Sequence, residues 1–208
     1  MNRSILIITI LFTLIAPSLV QACAQPRLPS NANKTIDPKR INQALFSKVV
    51  TEYTNYYRCR AGRRSLRDTN ALTRTASMQS KNMAQYNVLS HQTRARGEQT
   101  FKQRLKKNRV RIRAAAENIT MDFLLATNRR RYLIKDIEAC HFEQGGKRVE
   151  VHTYASLGRL VVQDWLASAS HKKNSLNTKY ARSGAAIAVS YTSSKPCGVV
   201  YVTQTFAN

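Results

Sequence analysis

The two apolar runs that close the sequence constrain the fold more than any other feature. Residues 185–191 and 199–206 are rich in β-branched side chains, and the turn segment Thr-Ser-Ser-Lys-Pro-Cys-Gly joins them. Such runs separated by turn residues predict an antiparallel β-hairpin. Earlier segments have helical spacing instead, with apolar side chains every three or four residues over 41–59 and 156–167. Helices followed by a terminal hairpin favour an α+β fold, with helices packed on a small antiparallel sheet.

The first 22 residues have the pattern of a secretory signal peptide. Arg3 supplies a positive start, residues 5–15 are almost entirely apolar, and Pro17 closes the run. The run is too short to predict a membrane-spanning helix. We therefore expect an exported protein with a linker over residues 23–36 and a folded domain over 37–208. Within that domain, residues 121–152 are interpreted as an insertion.

Cys23 has two interpretations, which the sequence leaves open. The segment Val-Gln-Ala-Cys that ends at Cys23 resembles a bacterial lipobox. Lipidation there would anchor the protein to a membrane, as a periplasmic or outer-membrane lipoprotein. Cleavage after Ala24 also fits the small-residue rule for signal peptides, and it would leave an unanchored protein in the periplasm or outside the cell.

The other three cysteines predict one disulfide if Cys23 carries a lipid. Export places the chain in an oxidising compartment, where disulfides form and persist. Cys140 lies in a polar segment and Cys197 in a Lys-Pro-Cys-Gly turn, so both are expected to be exposed enough to pair. Cys59, at the end of a helical pattern, is then expected to be a buried thiol.

The charge of the chain is unusual for a globular protein. Lys and Arg outnumber Asp and Glu by 34 to 11, which gives a formal net charge of +23. Such a surface attracts polyanions, including nucleic acid, lipopolysaccharide, anionic lipid and acidic polysaccharide. The alternative is a solvated basic surface with no single partner, because charge alone does not specify a site.

Two of the four histidines and one glutamate stand in short polar motifs on separate segments. His91 follows Leu-Ser, Glu117 lies in Ala-Glu-Asn-Ile, and His171 ends the segment that begins at Trp165. Two imidazoles and a carboxylate that converge in a fold can bind a divalent metal or a polar ligand. These residues are therefore the first candidates for a functional site.

The order of these motifs resembles the CAP family, which comprises cysteine-rich secretory proteins, antigen 5 and plant pathogenesis-related proteins and is also called the SCP domain. The bacterial branch is the closer likeness, and the resemblance covers about 165 residues in five ordered pieces. The residues that carry it are Glu52, Tyr53, Arg58, Ala61, Gly62, Leu66 and Leu72; Ser90, His91, Gly97, Phe101 and Arg104; Ala116, Glu117, Asn118 and Ile119; Val161, Val162, Trp165, Ser168, His171 and Asn174; and Gly184, Tyr201, Gln204 and Phe206.

The resemblance implies an α–β–α sandwich with a shallow cleft where two histidines and two acids meet, often able to hold zinc. Carried over to this chain, His91, Glu117 and His171 fill three places in the cleft and are the expected metal ligands. Asp164 is the nearest candidate for the second acid, with Gln163 beside it. Two histidines and one carboxylate suffice for a zinc site with an open coordination position.

The leading functional expectation is a non-catalytic binding module, secreted or anchored at the cell envelope. The resemblance suggests a lipid ligand such as a sterol or fatty acid, and the basic surface favours anionic lipids or envelope polymers. One alternative is a hydrolase that uses a histidine as general base or a zinc-bound water as nucleophile. Another is non-specific nucleic-acid binding through the basic surface.

Overall fold

The computed structural model describes residues 23–208; the signal peptide expected over residues 1–22 lies outside the described residues. The chain has the expected α+β fold, with five helices and two sheets in the described residues, and the hairpin predicted from the closing runs is β6 and β7. The helices are α1 (Gln43–Arg60), α2 (Asn70–Tyr86), α3 (Phe101–Lys107), α4 (Tyr154–Ala167) and α5 (Ala169–Ser175). The strands are β1 (Arg67–Asp68), β2 (Ala115–Phe123), β3 (Leu133–Asp136), β4 (His141–Gln144), β5 (Lys147–Arg148), β6 (Arg182–Thr192) and β7 (Lys195–Ala207).

The main sheet has the strand order β1-β6-β7-β2. The hairpin β6–β7 forms its centre, and β2 pairs antiparallel with β7 over its whole length, from Ala115 opposite Ala207 to Phe123 opposite Val199. The two-residue β1 pairs parallel with the start of β6, so the sheet is antiparallel except at this edge. Strand β2 is the other edge of the sheet.

Helices cover both faces of this sheet, which confirms the expected α–β–α sandwich. Ile187 of β6 and Val202 of β7 pack in one core with α1 and α4, which contributes Trp165. On the opposite face, Ala188 and Tyr201 pack with Met83 of α2. This division follows from the strand geometry, because successive side chains point to opposite faces.

Gly184 allows α2 to lie directly on β6. A Cβ atom at this position would stand 2.2 Å from the backbone nitrogen of Thr73 and 2.5 Å from the carbonyl carbon of Leu72. These two nearest atoms belong to the helix backbone, so they cannot move aside as the end of a flexible side chain could. The absence of a side chain at residue 184 therefore sets the distance between helix and sheet.

Within the segment interpreted as an insertion, residues 133–148 form a separate three-stranded sheet in the order β3-β4-β5, whereas residues 121–123 belong to β2 of the main sheet. Leu125, Phe142 and Val149 form a small apolar core under it. The Cys140–Cys197 disulfide, with Cα atoms 5.4 Å apart, ties it to the start of β7. The predicted pairing of these two cysteines is thus confirmed.

The segment expected to be a linker is instead packed against the domain. Ala32 and Ile36 are buried in the core shared with α1 and α4. The backbone N–H of Ile36 donates to the carbonyl of His152 at 2.9 Å, and the N–H of Ala155 donates to the carbonyl of Ala32 at 2.8 Å. Burial of the two apolar side chains in an otherwise polar segment accounts for the difference from the sequence-based expectation.

Both interpretations of Cys23 need correction, because its sulfur is bonded to Cys59 with Cα atoms 5.8 Å apart. A sulfur in a disulfide cannot also carry the thioether of a lipid anchor, and cleavage after Ala24 would remove the residue. The expectation that Cys59 is a buried thiol is wrong for the same reason. Among residues 23–208, no helix has the length and apolar character needed to cross a membrane.

Candidate functional site

A buried ion pair between β2 and α3 forms the base of the site. The Arg104 Nη2 atom donates to both carboxylate oxygens of Glu117, at 3.0 Å to Oε1 and 2.9 Å to Oε2. The Arg104 side chain is fully buried, and that of Glu117 is 2% exposed. A hydrogen-bonded pair in this environment fixes the carboxylate and neutralises its charge.

Arg104 also holds the segment that carries the first histidine. Its Nη1 donates to the carbonyl of Glu98 at 3.0 Å, and its Nη2 to the carbonyl of His91 at 3.2 Å. Helix α3 begins with a capping box, in which Thr100 and Gln103 each bond the other's backbone. The cap orients α3 so that a side chain from a strongly basic segment turns into the protein.

His91 is fixed at one nitrogen and accessible elsewhere. Its Nδ1 lies 3.0 Å from Oε1 of Glu117, while its side chain is 55% exposed. Glu117 thus orients the imidazole and leaves the rest of the ring at the protein surface. The predicted association of His91 with Glu117 is present in the structure.

His171 is positioned from the other side of β2 by Asn118. The Nδ2 of Asn118 donates to the His171 carbonyl at 3.2 Å, and its Oδ1 accepts from Nδ2 of Asn174 at 2.9 Å. Burial lowers the pKa of the His171 side chain, and the neighbouring His91 lowers it further. Glu117 and Asn118 are adjacent on β2, so their side chains point to opposite faces of the sheet. Glu117 therefore contacts the His91 ring, and Asn118 contacts the His171 backbone.

Asp164 does not join this group. Its Oδ2 lies 2.5 Å from Nη2 of Arg129, which also approaches Oδ2 of Asp122 at 3.4 Å. Burial raises the pKa of Asp164, although Arg129 opposes that effect. Asp122 stands four residues beyond Asn118 on β2, about 13 Å along the strand. The structure therefore places the expected fourth cleft residue in a different cluster.

The sequence profile of the cysteine-rich secretory protein family, CAP, matches residues 51–206. The chain belongs to this family. No curated protein matches its sequence significantly.

Two solved bacterial structures have a similar fold. An extracellular protein containing a SCP domain from Bacillus anthracis str. Ames is 20% identical with a TM-score of 0.55, over 84% of this chain and 45% of that one. An outer surface protein from Borrelia burgdorferi is 16% identical with a TM-score of 0.52, over 85% of this chain and 98% of that one. This chain thus spans less than half of the Bacillus protein, and at these identities the likeness shows the fold alone.

In the cleft of this CAP domain, Glu117 is poorly suited to be the carboxylate ligand of the expected zinc site. No three His, Cys, Asp or Glu residues in the described part of the chain are grouped so that they could hold a metal ion. Both oxygens of Glu117 already accept hydrogen bonds from Arg104. Coordination by His91, Glu117 and His171 would require the carboxylate to leave a buried cation, which is unfavourable. Zinc binding at these residues stays a prediction.

Arg104 is the site residue whose role the sequence did not reveal. It lies in a run of basic residues that reads as a solvated surface, and it matched the family pattern without an assigned function. Its position in the helix could have predicted burial, because Arg104 follows Phe101 by three residues and directly precedes Leu105. These two apolar residues mark the face of α3 that packs inward.

Proposed function

We propose that this CAP domain is an exported, non-catalytic binding module whose cleft receives an anionic group of a cell-envelope component. The observation that carries the proposal is the neutralisation of Glu117 by Arg104. Without a free carboxylate, the cleft offers an exposed imidazole and the basic side chains that flank the two histidines. Such a surface favours an anion over a metal cation.

Exposed cations stand near both histidines in sequence. Lys172 and Lys173 follow His171 on α5, and Arg94 and Arg96 follow His91; all four are exposed. None of the ion pairs formed within residues 23–208 involves them. Their charge is therefore available to a ligand with phosphate or carboxylate groups.

Export is supported by the two disulfides, Cys23–Cys59 and Cys140–Cys197. Disulfides persist in oxidising compartments and are rare in the cytosol. The similar proteins from Bacillus anthracis and Borrelia burgdorferi are described as extracellular and outer-surface proteins. An envelope polymer is accordingly favoured over nucleic acid as the anionic partner.

The hydrolase alternative has less support from the geometry. His91 lies beside a carboxylate, as a general base would. Yet no serine side chain among the described residues is hydrogen bonded to either imidazole: Ser90 Oγ accepts from the N–H of Gln92, and Ser168 Oγ faces Ser170 Oγ. The lipid ligand that the family resemblance suggests also has no counterpart in this polar cleft.

Calorimetric titration with inorganic tripolyphosphate at physiological salt tests the proposed function. We expect saturable binding that weakens at least about tenfold in Lys172→Ala/Lys173→Ala, because each charge-assisted hydrogen bond contributes about 1.5–3 kcal/mol. His91→Ala/His171→Ala should weaken binding as well. The control is Lys147→Ala/Arg148→Ala, which removes the same charge from two exposed residues of β5.

Three results would contradict the proposal. Equal weakening by the β5 control would show attraction to net charge rather than to a site. The same conclusion would follow if all variants, including the β5 control, lost affinity for double-stranded DNA and for tripolyphosphate to the same extent. Turnover of an ester or peptide substrate that His91→Ala/His171→Ala abolishes would show that the cleft is catalytic.

A further inference from the structure

A polar cavity borders the segment that carries His91. Its volume is about 270 Å³, and it is lined by Ser90 and Gln92, the two neighbours of His91 in sequence. Asn82 and Tyr86 contribute to it from α2. The volume lies close to the lower end of the range for small-molecule sites, about 300–1,000 Å³. We call this space the α2 cavity.

Asn82 provides a buried hydrogen-bond acceptor in the wall of the α2 cavity. The residue is only 7% exposed. Its Nδ2 donates to the carbonyl of Met78 at 2.8 Å and to Oε2 of Glu98 at 3.4 Å. Both partners are acceptors, so they fix which end of the amide is the nitrogen. The Oδ1 is buried and has no hydrogen-bond partner among residues 23–208, so a ligand that brings a donor would stabilise it.

The loop on the other side of the His91 segment is held in place. The buried Gln79 donates from Nε2 to the carbonyl of Ser90, and Oγ1 of Thr93 donates to the carbonyl of Glu98 at 3.0 Å. The Oγ of Ser90 accepts from the N–H of Gln92 at 3.1 Å, so its own hydrogen can still be donated to a ligand. A preformed wall binds a ligand without the entropic cost of being ordered first.

A cation and an aromatic ring complete the α2 cavity. The guanidinium of Arg94, which also lines it, lies over the Tyr86 ring with Cζ 5.5 Å from the ring centroid. Arg94 forms no ion pair with an Asp or Glu side chain among residues 23–208. Tyr86 is still 37% exposed, so part of its ring is available to pack against the C–H groups of a ligand.

These groups together indicate a compact ligand with both hydroxyl and anionic groups. Ionised oxyanions accept hydrogen bonds and do not donate them, so an inorganic anion would leave Oδ1 of Asn82 unmatched. An apolar chain would leave all the polar groups unmatched. We propose that the α2 cavity binds one pyranose ring of an acidic saccharide, with a hydroxyl donating to Asn82 and the anionic group at Arg94. This rests on the proposed function, since it names the class of envelope component that the cleft receives.

Calorimetric titration of the full exported chain with trigalacturonic acid, at physiological salt, tests the saccharide site. We expect saturable binding that weakens at least about tenfold in Tyr86→Ala, because the contact with the ring is lost. Gln92→Ala should weaken it several-fold. The matched controls are Tyr191→Ala, at a tyrosine that is 54% exposed, and Gln85→Ala, at an exposed glutamine of α2; neither residue lines the cavity, so both should bind as the unchanged protein does.

The methyl ester of trigalacturonic acid separates the hydroxyl contacts from the charge contact. Asn82→Ala should weaken the acid and the ester equally, because both carry the same hydroxyl groups. Arg94→Ala should weaken only the acid, whose carboxylates are ionised. Thermal unfolding by circular dichroism confirms that each variant is folded, and the exposed positions 86 and 92 test the site even if Asn82→Ala unfolds.

Tripolyphosphate distinguishes failure of this proposal from failure of the proposed function. Tyr86→Ala and Gln92→Ala should leave tripolyphosphate binding unchanged, because it has no sugar ring. Binding of tripolyphosphate without saturable binding of trigalacturonic acid would overturn the saccharide site alone. Equal effects of Tyr86→Ala and Tyr191→Ala, or equal affinity of the unchanged protein for acid and ester, would also overturn it. Binding of neither anion would contradict the proposed function as well.

Discussion

At the scale of single residues, the buried pair of Arg104 and Glu117 yields the sharpest prediction. In Arg104→Met the carboxylate of Glu117 would stay buried with only His91 as partner. Removal of one member of a buried pair costs about 3–5 kcal/mol, because the remaining charge is uncompensated. We expect the free energy of unfolding, measured with urea, to fall by about this amount.

The matched control is Lys107→Met on the same helix. Lys107 pairs with Glu98 at 2.6 Å, but its side chain is 58% exposed. Exposed pairs contribute about 0–1 kcal/mol, so this variant should change little. Similar losses in both variants would show that Arg104 is not the residue that stabilises the base of the cleft.

The sequence predicted the contact between His91 and Glu117 but not the partner of Asp164. His91, Glu117 and His171 stand in recognisable motifs, and the structure brings Glu117 and His91 within hydrogen-bond distance. The resemblance implies a second acid near the tryptophan helix, and Asp164 is the nearest candidate there. Ion pairing with Arg129 depends on how the insertion folds back, and this is not encoded in local spacing.

At the scale of elements, the Cys23–Cys59 disulfide ties the segment before α1 to the end of that helix, across 36 residues. Peptide mapping of the exported, non-reduced protein should yield a linked Cys23–Cys59 pair and a linked Cys140–Cys197 pair. Cys23→Ser/Cys59→Ser should lower the free energy of unfolding by about 2–4 kcal/mol, the usual effect of opening one disulfide. A lipid on Cys23, detected by mass spectrometry, would contradict this pairing.

Elements with strong periodicity were predictable, and those defined by long-range contacts were not. The hairpin β6–β7 and helices α1 and α4 lie close to the segments expected from apolar spacing. The segment 23–36 carries the prolines and asparagines of a linker, yet Ile36 is buried against elements more than 100 residues away in sequence. Ile36 packs on a surface that exists only once these distant elements have come together, so its local sequence could not predict its burial.

At the scale of the whole molecule, the excess positive charge destabilises the folded state by self-repulsion, although it also attracts anionic ligands. At one end of the main sheet, Arg67 of β1 lies opposite Arg182 of β6 in the strand register. Arg182 also donates to the carbonyl of Arg111 at 2.9 Å, and Arg113 lies two residues before the start of β2. These four residues, which we call the arginine rim, lie near one another along the backbone, and none pairs with an Asp or Glu side chain among the described residues. Arg182 also donates from Nε and Nη2 to the backbone oxygen of Asn208.

Salt should therefore stabilise this protein. Raising NaCl from about 10 mM to about 150 mM shortens the Debye length from about 30 Å to about 8 Å, which screens repulsion between exposed charges. We expect the melting temperature to rise across this range, and Arg111→Glu to melt higher than the unchanged protein at low salt and to respond less to added salt. Na2SO4 at matched ionic strength distinguishes screening of charge from binding of an anion. If sulfate raises the melting temperature more than NaCl does, and Lys172→Ala/Lys173→Ala removes the difference, sulfate binds at the cleft. A melting temperature that is constant or falls with NaCl would show that the clustered arginines do not repel one another enough to affect folding.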